Sequence, residues 1–256
     1  MSAGAERCPV LMYHRVDLPG SRFCVPPARF AAQLRALARA GFRAVTLEHF
    51  TAWLAGETRL EPGDFLLTFD DGYRDLHHHV LPVLRELDWP GVVFLVSDRI
   101  GGESRWATDD EARPVYPLLD AAMIATLRAH GVSFQSHSRT HPRLTALDAT
   151  ALADELAGSR VRLEALLDEP VEALAYPFGA VDERVAEAAR DAGYRLAFST
   201  RSGFNRRGED RWRLRRIDVH GDDSPRMLLR KIRLGTNDGG LMPLVRYYLR
   251  RLLGKV

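Results

Sequence analysis

The feature that most constrains the fold is a regular alternation of short apolar segments and longer amphipathic segments along the chain of 256 residues. Such alternation predicts parallel βα units, in which each buried strand is followed by a helix that covers the sheet. The alternation does not distinguish a closed barrel from an open sheet. The predicted strands are residues 8–16, 65–69, 92–96, 132–135, 171–175 and 194–199. The predicted helices are residues 30–38, 73–87, 120–130, 148–167 and 182–192.

Polar motifs follow three of the predicted strands, at the point where each strand ends. They are Thr-Phe-Asp-Asp-Gly at residues 68–72, His-Ser-Arg-Thr-His at residues 137–141 and Tyr-Pro-Phe-Gly at residues 176–179. In barrels and open α/β sheets, functional sites gather at the carboxyl edge of the strands. We therefore expect the three motifs to lie close together in the folded chain.

The first two motifs predict a site for one divalent metal ion with a spare carboxylate beside it. A carboxylate and two imidazoles, from Asp71, His137 and His141, suit zinc or a similar first-row ion and leave room for a water molecule. Asp70 could then take a proton from that water. The four-residue spacing places both histidines on one face if a helical turn begins there. The alternative interpretation of the Asp-Asp-Gly sequence is a simple turn.

Four further features are weaker signals of function. His14 ends the first predicted strand and, taken alone, is a structural histidine. The histidines at 77–79 enter a helix, where consecutive residues cannot share a face, so we expect them to lie mostly at the surface. Residues 176–179 connect a strand to a turn, or their N–H groups serve an oxyanion. Trp106 stacks on a sugar ring or covers the core.

Composition sets looser bounds on the class of protein. The chain is 46% hydrophobic and 27% charged, which is typical of a soluble enzyme of one large domain or two small ones. Cys8 and Cys24 are too few for a disulfide framework and indicate a reduced compartment. The amino-terminal residues contain no long apolar run, so neither a signal peptide nor a membrane span is expected there. These features predict a cytoplasmic enzyme without a nucleic-acid partner.

The carboxyl-terminal part of the chain is basic. Residues 201–256 contain 15 Lys and Arg against 6 Asp and Glu, and residues 226–256 contain 8 against 1. A basic amphipathic helix can lie on an anionic membrane surface, or it can pack on the domain with its arginines in water. We place the predicted domain at residues 1–225 and a basic amphipathic extension at 226–256. The apolar positions at helical spacing are Leu244, Val245, Tyr248, Leu249 and Leu252.

Together the three motifs resemble those of the polysaccharide deacetylases with a NodB-homology domain, carbohydrate esterase family four. The likeness runs from about residue 10 to residue 219. It implies an α/β fold, a distorted and incomplete (β/α) barrel with a metal ion at the strand ends. It also implies a hydrolase that removes N-acetyl groups from an amino sugar in a polysaccharide or a lipid-linked glycan.

The resemblance implies a role for each motif residue. Asp70 is the catalytic base, while Asp71, His137 and His141 hold one divalent ion, for which Zn²⁺ is expected. The backbone amide of Phe178 helps to form the oxyanion hole. Tyr176 and Trp106 are the other expected substrate contacts.

The sequence Leu-Met-Tyr-His at residues 11–14 resembles the permuted arrangement of the poly-N-acetylglucosamine deacetylases, which makes His14 the expected general acid. The family's third motif normally contains an arginine that pairs with the base, but Ala175 stands there. Arg216 is predicted to replace it, and Asp218 is a candidate partner for the acid. The family's Asp-and-Trp fourth motif has no convincing counterpart around Asp210 and Trp212.

Two other classes of function stay open. One is a deformylase or another hydrolase of carbon–nitrogen amide bonds on the same fold, which would share all the motifs. The other is a glycan-binding module that has lost activity, which the presence of Asp70, Asp71, His137, His141 and His14 disfavours. The sequence does not identify the sugar.

Overall fold

The computed structural model describes residues 5–18, 22–106 and 115–240. These residues contain eight strands. Six of them correspond to the predicted apolar segments, and the other two, β2 and β8, are short strands that were not predicted. The strands are β1 Val10–Tyr13, β2 Arg43–Val45, β3 Asp64–Phe69, β4 Gly91–Leu95, β5 Val132–Ser136, β6 Ala173–Ala175, β7 Leu196–Phe198 and β8 Ile217–Asp218.

Seven α-helices alternate with these strands in the described part of the chain. They are α1 Pro27–Arg39, α2 Leu47–Ala55, α3 Leu81–Leu87, α4 Ala121–Arg128, α5 Ala149–Leu167, α6 Glu183–Asp191 and α7 Pro225–Leu234. Polar side chains cap the amino ends of five helices by accepting a backbone N–H three residues on, which satisfies an otherwise free donor. The capping residues are Thr46, Asp120, Asp148, Asp182 and Ser224.

All strand pairs in the sheet are parallel, in the order β7-β6-β5-β4-β3-β1-β8, and β2 pairs with the first half of β3. The sheet curls into a half-barrel with β7 and β8 at the ends of the path, so the predicted distorted, incomplete (β/α) barrel is confirmed. An isolated bridge between Phe198 and Leu214, and a hydrogen bond from the Arg216 N–H to the Arg201 carbonyl, connect the chain at the end of β7 to the segment that leads into β8.

Successive strand residues alternate between two apolar clusters. Leu67 and Val93 belong to the larger cluster, between the sheet and most of the helices, whereas Leu66 and Phe94 belong to a smaller cluster on the other face. The helix α2 contributes Phe50 and Trp53 to the smaller cluster. Both faces of the sheet are therefore covered, which explains why its strands are almost continuous apolar runs.

The predicted helix at residues 73–87 differs from the structure. The chain turns after Gly72, forms one π-helical turn at Leu76–Val80, and continues as α3. Of the three consecutive histidines in and beside that turn, His78 is exposed, and His77 and His79 are half-buried. None of the three is buried, as predicted, although only His78 is exposed.

The helix α7 packs against α1, and its Leu228 and Ile232 are buried in the larger apolar cluster. It forms the first part of the predicted extension at residues 226–256, whose boundary stays a prediction. The predicted amphipathic stretch at residues 244–252 lies outside the described residues. Within the described ranges, the helices are too short or too polar to span a bilayer.

Candidate active site

The three polar motifs meet at the carboxyl edge of the sheet, around a cavity of about 500 Å³. Each motif follows a strand: β3 leads to Asp70, β5 to His137 and β6 to Tyr176. The cavity is lined by most of the residues predicted from the sequence, namely Asp70, Asp71, His137, His141, His14, Tyr176, Phe178 and Trp106. Arg216 lies behind the cavity wall and contacts Asp70.

Asp71, His137 and His141 form a group with the geometry of a metal site. The Oδ1 atom of Asp71 lies 3.4 Å from Nε2 of His137 and 3.4 Å from Nε2 of His141. Ligands about 2.1 Å from a tetrahedral ion are separated by about 3.4 Å, so these spacings fit a divalent cation. Asp71 Oδ1 is also buried without a hydrogen-bond partner in the described residues. Such an orphaned carboxylate oxygen fits a ligand position.

The tautomer of His137 is fixed by the main chain. Its Nδ1 lies 2.7 Å from the carbonyl oxygen of Ala175, to which it donates. The lone pair of the neutral ring is therefore on Nε2, which faces Asp71. Metal-binding histidines are commonly oriented by a hydrogen bond of this kind on the other ring nitrogen.

The two histidines do not converge through a helical turn, as their spacing had suggested. Residues 137–141 form a loop in which Ser138 has φ of 66° and His141 has φ of 69°. Asp71, with φ of 73°, and Phe178, with φ of 58°, are also in the left-handed region. Such conformations cost free energy for residues other than glycine and cluster at functional sites. Four of the six such residues in the described chain surround this cavity.

Gly72 is required by both conformation and space. Its φ is 72°, and a Cβ atom there would lie 2.5 Å from Cδ2 of Leu95. Leu95 is 2% exposed and packed in the core, so it has little room to move away. The glycine therefore lets the chain turn directly after Asp71 while keeping β4 close to β3.

Asp70 is held by a buried bidentate ion pair. The Nη1 and Nη2 atoms of Arg216 lie 2.6 and 2.8 Å from the two carboxylate oxygens of Asp70. Arg216 is fully buried, and its Nε donates to the carbonyl of Ser199 at 3.1 Å. The contact predicted from the missing arginine at Ala175 is thus present. Because β8 adjoins β1, which adjoins β3, Arg216 reaches Asp70 from a distant part of the sequence.

Burial and charge oppose each other at Asp70. Burial raises the pKa of its carboxyl, but the charges of Arg216, His137 and His14 outweigh burial and hold the pKa below its usual value. At Asp71 burial is likewise outweighed, by the close approach of the His137 and His141 imidazoles, and the pKa lies well below the usual range. Both carboxylates are therefore ionised at neutral pH.

The pKa values of His137 and His141 are shifted in opposite directions. Burial lowers the pKa of His137, but the charge of Asp70 and the contact with Asp71 reverse this effect, and its pKa is raised. For His141 burial is dominant and the pKa is lowered. A metal ion and a proton would compete for His137 Nε2, and only the deprotonated form binds the ion.

His14 follows β1 and Asp218 ends β8, and both strands lie on the other side of β3 from β5, which leads to His141. Asp218 pairs with Met12 in the β1–β8 ladder, so its side chain is on the same sheet face as Met12 and His14. His14 Nδ1 and Asp218 Oδ1 are both buried without a hydrogen-bond partner in the described residues. Burial raises the pKa of Asp218, although the positive charges of Arg216, His14 and Lys231 oppose the increase.

Trp106 and Phe178 flank the imidazole of His141. Their ring centroids lie 4.9 and 4.8 Å from its own. Phe178 is half exposed at the cavity mouth, whereas Tyr176 is buried and its hydroxyl has no partner in the described residues. Trp106 thus lies against a site histidine, and stacking on a sugar ring stays a prediction.

The structure adds cavity residues that sequence reasoning missed. Arg15 is 6% exposed and pairs with two carboxylates. Its Nη2 lies 2.7 Å from Oδ2 of Asp17, and its Nε lies 3.3 Å from Oδ2 of Asp75. Its guanidinium carbon lies 3.4 Å from the ring centre of Tyr116. Phe23 packs on His14 with ring centroids 4.9 Å apart. The position of Arg15 directly after His14 was a usable signal, but nothing in the sequence marks Tyr116 or Phe23.

Comparison with known proteins identifies the family. The polysaccharide deacetylase family profile matches residues 58–197, more than half of the chain. The chain belongs to the polysaccharide deacetylase family, whose members are hydrolases that act on carbon–nitrogen bonds of N-acetylated sugars. The resemblance inferred from the motifs is therefore confirmed.

Individual relatives agree with this assignment. YxkH of Bacillus subtilis (strain 168), provisionally named a polysaccharide deacetylase, is 25% identical over 213 residues, 83% of this chain and 71% of YxkH. IcaB from Ammonifex degensii superposes with a TM-score of 0.75 and 26% identity over 88% of this chain and 97% of IcaB. The deacetylase PplD of Streptococcus pyogenes, in complex with acetate, shares the fold at a TM-score of 0.78 and 22% identity over 90% and 99%.

Proposed function

We propose that the protein removes N-acetyl groups from an amino sugar in a polysaccharide or lipid-linked glycan. The observation that carries the proposal is the arrangement of Asp70, held by Arg216, beside the group formed by Asp71, His137 and His141. The latter three would bind a divalent ion, and their mixed nitrogen and oxygen donors favour Zn²⁺. When bound, such an ion polarises the amide carbonyl and acidifies a water molecule.

Asp70 takes the proton of the attacking water in this proposal. Its carboxylate is ionised, and its Oδ2 lies 4.0 Å from His137 Nε2, so it faces the group that would hold the ion. The bidentate contact with Arg216 fixes the plane of the carboxylate and limits its rotation. A base held in position needs little reorganisation when the proton is transferred.

His14 gives a proton to the amine as it leaves, on the other side of the scissile bond. An amine is a poor leaving group as an anion, so amide hydrolysis needs an acid at the nitrogen. Asp218 is the partner that would orient the His14 ring. The Phe178 N–H would donate to the oxyanion, which forms only along the reaction path. The products are acetate and a free amino sugar.

Acetate release from a panel of N-acetylated sugars, free and lipid-linked, tests the proposal. The panel includes N-formylated analogues, because a deformylase would share the same site. Asp70→Asn should keep the metal ion but lose about 10²–10⁴-fold in turnover. Wild-type turnover in Asp70→Asn would contradict the role of the base, and release of formate alone would replace the proposed reaction.

A further inference from the structure

The backbone N–H and carbonyl of Asp218 form hydrogen bonds to side chains, which is unusual for a strand residue. Asp218 ends β8, the last strand on one side of the sheet. Its N–H donates to Oδ1 of Asn237 at 2.8 Å, and its carbonyl accepts from Nζ of Lys231 at 3.2 Å. At a sheet edge such groups are otherwise left to water or to another strand. Two side chains from the end of the described chain thus take the place of a strand.

Lys231 is buried to a degree that is rare for lysine. It is 1% exposed, and its ammonium also contacts the carboxylate of Asp223, which is 1% exposed. Asp223 in turn accepts the N–H of His220 at 2.8 Å. Burying such a pair has a desolvation cost, and packing of α7 on α1 alone would be served by an apolar side chain. The buried ammonium therefore makes polar contacts that an apolar side chain could not make. Its contact with the Asp218 carbonyl connects Lys231 to a residue that lines the cavity.

The direction of the Asp218 carboxylate depends on its main chain. The carboxylate lines the cavity, its Oδ1 has no hydrogen-bond partner in the described residues, and its Oδ2 lies 3.9 Å from Nε2 of His220. Rotation of the peptide groups at either side of Asp218 would turn that side chain away from the cavity, which His14 also lines. Because β8 contains only two residues, its own ladder gives little resistance to such a rotation.

We propose that Lys231 and Asn237 are positioning residues that hold the main chain of Asp218 so that its carboxylate orients the imidazole of His14. This inference rests on the proposed function of His14 as the general acid. It makes residues 225–240 part of the catalytic unit, on the side where the half-barrel is open.

Two substrates with different leaving groups test the inference. An N-acetylglucosamine pentamer must release an amine that needs a proton, whereas 4-nitrophenyl acetate releases a phenolate that does not. The main variant is Asn237→Leu, which removes the acceptor without leaving a charge unpaired. The second is the double variant Lys231→Met with Asp223→Asn, which removes the ion pair as a unit. Arg233→Met, an exposed position on the same helix, is the matched control.

We expect both test variants to lose about tenfold or more in kcat on the pentamer, a part of the contribution of a general acid. Turnover of the ester, the metal content and Tm should stay near those of Arg233→Met. An equal loss on both substrates would mean that the residues are only structural, and unchanged turnover of the pentamer would mean that they are not needed. Either result overturns the inference.

His14→Ala and Asp218→Asn, measured on the same two substrates, separate this inference from the proposed function. If His14→Ala retains turnover of the pentamer, His14 is not the acid and the proposed function fails at that step. If both variants lose turnover of the pentamer while Asn237→Leu does not, the acid is correct and only the positioning role is wrong.

Discussion

The two sides of the cavity are held in different ways. The ligand side, made of Asp71, His137 and His141, is shaped by short loops with left-handed backbone at two of its three residues. The acid side, made of His14 and Asp218, lies at the ends of two adjacent strands, and side chains from distant residues hold the main chain of Asp218. The left-handed backbone of the ligand side costs free energy and persists only because surrounding contacts hold it, such as the hydrogen bond from His137 to the Ala175 carbonyl. The acid side depends instead on the correct packing of α7.

The largest expected effect is a difference in metal content between a variant of the ligand side and a variant of the acid side. His137→Ala should lose most of the bound ion, about one per chain in the wild type, because three protein ligands are the usual minimum. His14→Ala should keep the ion and still lose about 10²–10⁴-fold in deacetylation, because the amine then leaves without a proton. Elemental analysis and acetate release measure the two quantities.

His78→Ala is the control for both variants, since His78 is exposed and lies outside the cavity lining. Full metal content in His137→Ala would remove the metal site from the mechanism. Unchanged turnover in His14→Ala would return His14 to a structural role.

The next effect concerns Arg216, which connects the two sides because it precedes Asp218 by two residues and pairs with Asp70. Asp70 is a base only when ionised, so activity falls as the pH falls through its pKa. Burial raises that pKa and the Arg216 guanidinium lowers it. Arg216→Met should therefore raise the pKa and move the acidic limb of the pH–rate profile to higher pH.

Arg216→Lys keeps the charge but loses the bidentate contact, so its acidic limb should move less than that of Arg216→Met. The pH dependence of kcat on a fixed N-acetylated substrate measures both variants. Tm measured alongside shows whether the buried carboxylate, left without its partner, destabilises the fold. An acidic limb at the wild-type position in Arg216→Met would show that the guanidinium does not control ionisation of Asp70.

The contrast between the two sides also explains what the sequence could predict. The long strands were predictable because parallel strands covered on both faces read as continuous apolar runs. The ligand side was predictable because its residues fall in two compact motifs at strand ends. Its backbone was not, since a four-residue histidine spacing is equally compatible with a helical turn and with the left-handed loop found at 137–141.

The acid side was harder to predict for a physical reason. β8 contains two residues, too few to show any periodicity, and the roles of Lys231 and Asn237 arise only when α7 packs on α1. Arg216 was identified because a specific partner was missing at Ala175. No similar gap in the sequence pointed to Lys231, whose burial is visible only in the fold.

A smaller effect, on stability, tests the ligand side. Gly72→Ala should lower the free energy of unfolding through the strain of φ 72° and through overlap with Leu95, at about 1–3 kcal/mol for each. Gly41→Ala is matched in backbone, with φ of 83°, but has nothing within 4 Å of the added Cβ. Urea unfolding of both should show a greater loss for Gly72→Ala. Equal losses would assign the whole effect to backbone strain.

The smallest expected effect concerns the basic carboxyl-terminal segment and its predicted contact with an anionic membrane. Arg226 and Arg233 are exposed on α7 and Arg230 is half-buried on the same face, while residues 241–256 add four more Lys and Arg. Each basic residue near an anionic surface contributes about 1 kcal/mol. The full chain should therefore co-sediment with phosphatidylserine vesicles at low salt, and more strongly than a chain that ends at Gly240.

The end point at Gly240 matters because a chain that ends near residue 225 would also lack Lys231 and Asn237, which hold Asp218. With those residues retained, turnover of a soluble N-acetylated substrate should be equal in the two chains, so a difference in vesicle binding reports on residues 241–256 alone. Binding should weaken as salt is added, since exposed charges are screened over about 10 Å at 0.1 M. Equal binding by both chains, or no binding by either, would leave the segment without a role at membranes and would favour a helix packed on the domain.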